Sequence, residues 1–228
     1  MCVRDTPHVR GGTAVRLGVL LIGLALFAAG IVALLESKLG LSPWDVLHQG
    51  ISRHTPLTFG EANIAVSAVV LSGAWLLGAR VGVGTVANAL LVGSLVQLFT
   101  SVAAVEGLAD DPLGVRIGLL LAGLALMGVG TALYLGAGLG AGPRDSLMVV
   151  GAHRTRFRIG AVRAALELSA LAVGVTLGGT FGVGTVAFAL GIGPSVELSF
   201  WLLARSPLGR SIDPAAPPDV QTASVSAG

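Results

Sequence analysis

Apolar residues gather in six long stretches of the chain, separated by short polar segments. The stretches cover about 16–36, 60–79, 83–104, 116–137, 160–178 and 183–204. Each approaches the ~20 residues that an α-helix needs to cross ~30 Å of hydrocarbon. The first charge-free run, Leu17 to Leu35, is longer than the ~7–15 residues of a signal-peptide core, so it is read as a span. The turns Arg80–Gly82 and Gly178–Gly182 are short, which predicts that spans two and three, and spans five and six, pack as antiparallel neighbours. Two further segments, Leu39–Thr55 and Leu139–Thr155, are too long for turns and too polar for ordinary spans.

The pattern repeats itself. A shift of 100 residues lays 16–98 on 116–198 without a gap, and 32 of 83 positions are identical. Shared Leu, Ala and Gly follow from composition, but Arg16 on Arg116, Pro43 and Asp45 on Pro143 and Asp145, and Gly82-Val-Gly-Thr85 on Gly182-Val-Gly-Thr185 do not. The expected architecture is therefore an all-α polytopic membrane protein with six transmembrane helices, built as a tandem repeat. The divisions are 1–15, an N-terminal segment; 16–104, the first three-helix repeat; 105–115, a linker; 116–204, the second repeat; and 205–228, a tail rich in Pro, Ala and Ser that is expected to be disordered.

Three spans per copy is an odd number, so the second copy enters the membrane upside down. Charge agrees with this. Arg4, Arg10, Arg16 and Arg80 fall on one side with Arg144, Arg154, Arg156, Arg158, Arg163, Arg205 and Arg210. The other side has a balanced first loop and the acidic Glu106, Asp110 and Asp111. The positive-inside rule then places both termini in the cytoplasm. An inverted 3+3 repeat recurs among secondary transporters.

Composition narrows the class further. Hydrophobic residues make up 54% of the chain and charged residues 11%, against ~25% charged in soluble domains. The 34 glycines suit closely packed membrane helices. No basic face interleaved with aromatics speaks for nucleic acid. The single Cys2 leaves no internal disulfide or Cys-based metal site. No metal set, cofactor motif or nucleophile–base pair stands at usable spacing, so no enzyme is expected.

The candidate chemistry lies in the polar segments and in the charges within spans. Ser42-Pro43-Trp44-Asp45 reads as a helix start, with Ser42 as N-cap and Pro43 at the first helical position. Gly142-Pro143-Arg144-Asp145 repeats it with Gly as cap. Each start opens a half-helix of about ten residues, re-entrant or interfacial, and inverted symmetry lets the two face each other by their N-termini. Helix N-termini attract anions, while Asp45 and Asp145 favour cations or protons. Alternatively both Asp residues only satisfy free N–H groups of their own helix starts. Glu167 follows Arg163 by four residues on one helix face, either as a structural ion pair or as part of a site. Glu197, whose repeat partner is Gln97, is a further intramembrane acid; Asn63 and Asn88 add amides. His48 is read first as a solvated loop histidine and second as a proton carrier beside Asp45. Trp44 and Trp201 fit interfacial anchors. The Gly-Val-Gly-Thr turns lack the strand and the Lys of a phosphate loop, and are read as tight hairpins with Thr as N-cap.

The strings Gly40-Leu-Ser-Pro-Trp-Asp-Val-Leu-His-Gln-Gly50 and Gly140-Ala-Gly-Pro-Arg-Asp-Ser-Leu147 resemble the YczE/YyaS/YitT-type bacterial membrane proteins. Arg163 to Glu167, followed by Gly178 to Val186 and Ile192-Gly-Pro194, is similar to the second half of the YczE-like branch. The resemblance covers about 16–204, and the C-terminal soluble domain of the YitT type is not expected here. It implies a multi-pass protein of the bacterial cytoplasmic membrane and brings no catalytic residues with it. The expected function is a small-solute secondary transporter or exporter, with Asp45, Asp145 and Glu167 lining the site. The alternative is a non-catalytic binding or accessory subunit, which docks on a partner membrane protein or forms a homodimer.

Overall fold

The computed structural model describes residues 8–9, 11–102 and 112–210. The linker acids Glu106, Asp110 and Asp111, and the tail beyond 210, lie outside the described residues. Eight helices run in the order α1 (Thr13–Ser37), α2 (Pro43–His54), α3 (Phe59–Leu76), α4 (Val83–Thr100), α5 (Leu113–Gly136), α6 (Pro143–Thr155), α7 (Ile159–Thr176) and α8 (Val183–Arg205). All except α2 and α6 are long and apolar enough to span a membrane. The two polar segments are the short helices α2 and α6, 12 and 13 residues long. Two-residue strands, β1 (His8–Val9) and β2 (Gly209–Arg210), pair antiparallel. Gly209 and Arg210, at the start of the 205–228 segment, pair with Val9 and His8.

α1 and α5 form the spine, and small residues set their closeness. They cross antiparallel, with Gly23 against Gly130 and Gly30 against Gly123. A Cβ at Gly23 would stand 2.7 Å from the Tyr134 amide nitrogen, and one at Gly130 would stand 2.7 Å from the Phe27 nitrogen. Backbone faces backbone here, as small residues permit in membrane helices. Around the crossing Leu24, Ala28, Ile31, Leu34 and Met127 are almost fully buried. Gly130→Val should therefore cost about 1–3 kcal/mol, the usual penalty of overpacking. Gly118→Val meets nothing within 4 Å and should unfold like wild type in a detergent melting experiment.

Contacts recur in exchanged pairs. Arg16, at the start of α1, donates from Nε and Nη2 to Ala137 O (2.7 Å) and Gly138 O (2.8 Å), just past α5. Arg116, at the start of α5, donates likewise to Ser37 O (2.8 Å) and Lys38 O (3.1 Å) at the end of α1. Cations at helix C-termini satisfy free carbonyls and complement the dipole. Gly84 N donates to Leu139 O (2.8 Å), and Gly184 N to Leu39 O (2.7 Å). Gly40 and Gly140, at φ +132° and +127°, press against Thr185 and Thr85; those φ values favour glycine. Arg53 of α2 donates to Gly178 O and Arg154 of α6 to Leu77 O. In the first three pairs the second contact is the first with 100 added to one number and 100 taken from the other; in the last, Arg154 and Leu77 each stand one residue from that position.

Two expectations need correction. Gly82 and Gly182 are the N-caps of α4 and α8, and Thr85 and Thr185 sit three residues on, accepting from the Gly82 and Gly182 amides at 3.2 and 3.4 Å. More consequentially, α3 packs along α4 while α7 does not pack along α8, despite equally short turns. The helices leave the Gly178–Gly182 turn and diverge. α8 carries Pro194 between its ends, flanked by Gly191 and Gly193, where α4 has Ser94, Leu91 and Gly93. An internal Pro lacks the N–H for its helical bond and its ring pushes on the preceding turn, so helices bend there.

Candidate functional site

The start of α2 is buried because the end of α7, the turn after it and Phe59 enclose it. Val46 packs against Gly174 and Gly179, Gly50 against Gly174 and Leu177, and Phe59 stacks edge-on to the His48 ring at 5.8 Å. Ser42 caps the helix as expected: its Oγ accepts from Asp45 N at 3.3 Å, and its hydroxyl donates to Asp45 Oδ2. Asp45 is therefore a cap partner, yet only through one oxygen. Its other oxygen, Oδ1, stands 3.3 Å from His48 Nδ1 and is out of line for a hydrogen bond. Asn63, from the first turns of α3, reaches the same nitrogen through Nδ2 at 3.2 Å. Asp45 and His48 are wholly buried and Asn63 almost so. Among the described residues, Asp45 Oδ1 and His48 Nε2 are buried side-chain atoms with no hydrogen-bond partner.

His48 is thus not a solvated loop histidine. The one-turn spacing from Asp45 already put it on the same helix face; what the sequence lacked was the depth of that face. Trp44 is not an interfacial anchor either. It is buried, and the guanidinium of Arg144 lies over its ring, 5.0 Å from the centroid. That contact joins the starts of α2 and α6, since positions 44 and 144 correspond in the 100-residue shift. Trp201, by contrast, is half-exposed beneath Arg205 at 3.6 Å, which suits an anchor.

On the α6 side, Asp145 Oδ2 accepts from the Tyr134 hydroxyl at 2.7 Å. Tyr134 is buried on α5 and meets Phe27 edge-on at 6.2 Å. It is the chain's one tyrosine. A lone phenol inside an apolar span was the signal that sequence reading passed over, because buried Tyr hydroxyls seek a partner. Arg144 interacts electrostatically with Asp45, Asp145, Tyr134 and Glu167. Glu167 pairs with Arg163 at 2.9 Å on α7, both side chains partly exposed. Seven of the eight candidates, Trp44, Asp45, His48, Arg144, Asp145, Arg163 and Glu167, thereby fall around one centre. Glu197 is exposed on α8 and stands apart.

The chemistry open to this centre is proton and charge handling. Three acids (Asp45, Asp145, Glu167) and two guanidinium groups (Arg144, Arg163) gather here with His48. Asp45 Oδ1 and His48 Nδ1 stand 3.3 Å apart, so a small turn of either side chain would bring a proton held by one into line with the other. Which atom of Asn63 faces the ring is an amide assignment, and the turned amide accepts where this one donates. Tyr134→Phe removes a hydrogen bond to a charged group, so a loss of about 1.5–3 kcal/mol is expected in thermal unfolding.

A family model described as "Family of unknown function (DUF6198)" matches residues 14–200. An uncharacterized protein of Haemophilus influenzae is 37% identical over 191 residues, covering 84% of this chain and 86% of that one. The uncharacterized membrane protein YczE of Bacillus subtilis is 34% identical over 170 residues, 74% of this chain and 77% of its own. The uncharacterized protein YyaS of the same organism is 26% identical over 172 residues, 72% and 82% of the two chains. No solved structure matches the chain.

Proposed function

We propose that this chain, which belongs to the DUF6198 family of YczE-like membrane proteins, is a secondary transporter that moves a small organic solute together with a proton. One observation carries the reading: a fully buried polar pair, Asp45 and His48, with an unpartnered atom on each residue, beside a guanidinium that links the starts of two short helices. An ionisable group inside a membrane protein is costly to keep and is a site by default. Opposed broken helices near the middle of an inverted repeat are where transporters hold substrate and coupling ion. Asp45 is the proton carrier, His48 its relay, and Arg144 the fixed charge that holds the two acids. The two repeats are inverted, with both termini in the cytoplasm of a bacterial cell, as the arginine distribution indicates.

The test is a thermal-shift screen of purified protein in detergent against a metabolite panel, with Asp45→Asn and Asp145→Asn beside wild type. A ligand at 100 times its Kd should stabilise wild type by about 2.7 kcal/mol, and the variants should lose that shift while folding normally. A ligand that stabilises all three equally would move the site elsewhere. Movement of solute only when a second membrane protein is present would make the chain an accessory subunit instead.

A further inference from the structure

The two halves differ most at one pair of helices, and the residues that close one half are present, unused, in the other. In the first half Gly60 of α3 lies directly on Gly93 of α4, each against the other's carbonyl, and a Cβ at Gly60 would also meet Gln97 Cβ at 3.0 Å. A Cβ at the corresponding Gly160 of α7 or Gly193 of α8 would meet nothing within 4 Å. Burial follows the same division. Asn63 and Ser67 on α3 are 1% and 7% exposed. Their counterparts Arg163 and Glu167 on α7 have side chains 50% and 30% exposed. Ala89 on α4 is buried and Ala189 on α8 exposed.

Small residues that meet neither a neighbour nor a ligand have no packing reason to be small. Gly160 and Gly193 acquire one if α7 and α8 come together as α3 and α4 do. α8 has the means, because Gly191, Gly193 and Pro194 stand together inside one continuous helix, and helices bend at Pro and at glycines. Closure would also serve Glu197: Gln97, its counterpart, sits beside Gly60, so Glu197 would come to Gly160, one turn from Arg163.

We infer that the protein has a second state in which α7 closes on α8 through Gly160 and Gly193 while α3 parts from α4 at Gly60 and Gly93. In each state one of the two helix pairs that bring side chains towards the Asp45–His48–Arg144 centre, Asn63 from α3 and Glu167 from α7, stands apart. The inference rests on the transport reading of that centre. It makes Glu197 a gate residue and Pro194 a hinge.

The experiment uses the full chain in membranes, with Cys2, its only cysteine, changed to Ser. Gly160→Cys and Gly193→Cys are introduced together. Both positions open on free space here, so neither disturbs the fold. A disulfide forms only when the Cα atoms come within about 7 Å. Under an oxidation catalyst both thiols of the monomer should become unreactive to maleimide. Ser67→Cys, added to the same chain, should be shielded before oxidation and become reactive after it, because α3 opens as α7 closes. Thiols that stay reactive, a disulfide found only between two chains, or a Ser67→Cys that stays shielded in the locked protein would overturn the inference. Closure in a protein that moves no solute would leave the two gates standing and overturn the transport reading. Solute movement without closure would do the reverse.

Discussion

Arg144→Gln is expected to lower the thermal unfolding midpoint by about 2–8 °C. The change removes a guanidinium that lies over the Trp44 ring and interacts electrostatically with Asp45 and Asp145, and a cation–π contact of that kind is worth about 1–2 kcal/mol. Arg144 is only partly buried, so solvent screens its longer-range attraction to the two acids, and a domain of this size loses about 2–4 °C per kcal/mol. Rescue separates that attraction from the lost contact over Trp44. Adding Asp145→Asn to Arg144→Gln removes one of the two acids and should recover only the part of the loss that comes from it. Arg144→Lys restores charge without the planar group that lies over Trp44, and should fall between the two. An Arg144→Gln protein that melts like wild type would mean that the contact over Trp44 adds nothing to stability.

The second large effect is on activity, with the fold intact. Asp45→Asn keeps an oxygen to accept from the Ser42 hydroxyl and the same shape at the helix start. Its stability should stay within about 1 kcal/mol of wild type, the scale of a single exchanged hydrogen bond. Its coupling to protons should be abolished, because an amide neither gains nor releases one in this range. His48→Gln should slow transport without abolishing it, as a relay would. Ser42→Ala is the control for the cap: it should cost about 1 kcal/mol of stability and leave coupling in place.

Much of this was legible before any coordinates, and the reasons differ by element. The six spans are long and apolar, so length alone located them to within a few residues. The starts of α2 and α6 carry a capping residue followed by Pro, a local signal that needs no tertiary context. Repeat arithmetic paired Asp45 with Asp145 and Trp44 with Arg144, but could not say that the last two touch. Depth was not legible. His48 and Trp44 look like surface residues in a polar segment, and only the packing of Val46 and Gly50 on α7 shows that the segment is sunk into the protein. Tyr134 was hidden because a phenol adds little to an apolar pattern. The separation of α7 from α8 was hidden too: a five-residue turn fixes where two helices meet, and their course beyond it depends on tertiary neighbours, α2 and α6 for α7 and α5 for α8.

The central claim is that Asp45 carries a proton whose movement accompanies that of a solute. The most direct measurement is pH inside proteoliposomes loaded with a pH-sensitive dye, after a solute gradient is imposed with a ligand found by thermal shift. The account predicts that the wild-type protein changes the internal pH as solute moves, and that Asp45→Asn binds solute weakly and leaves the pH unchanged. An Asp45→Asn protein that moves solute and protons at the wild-type rate would contradict it.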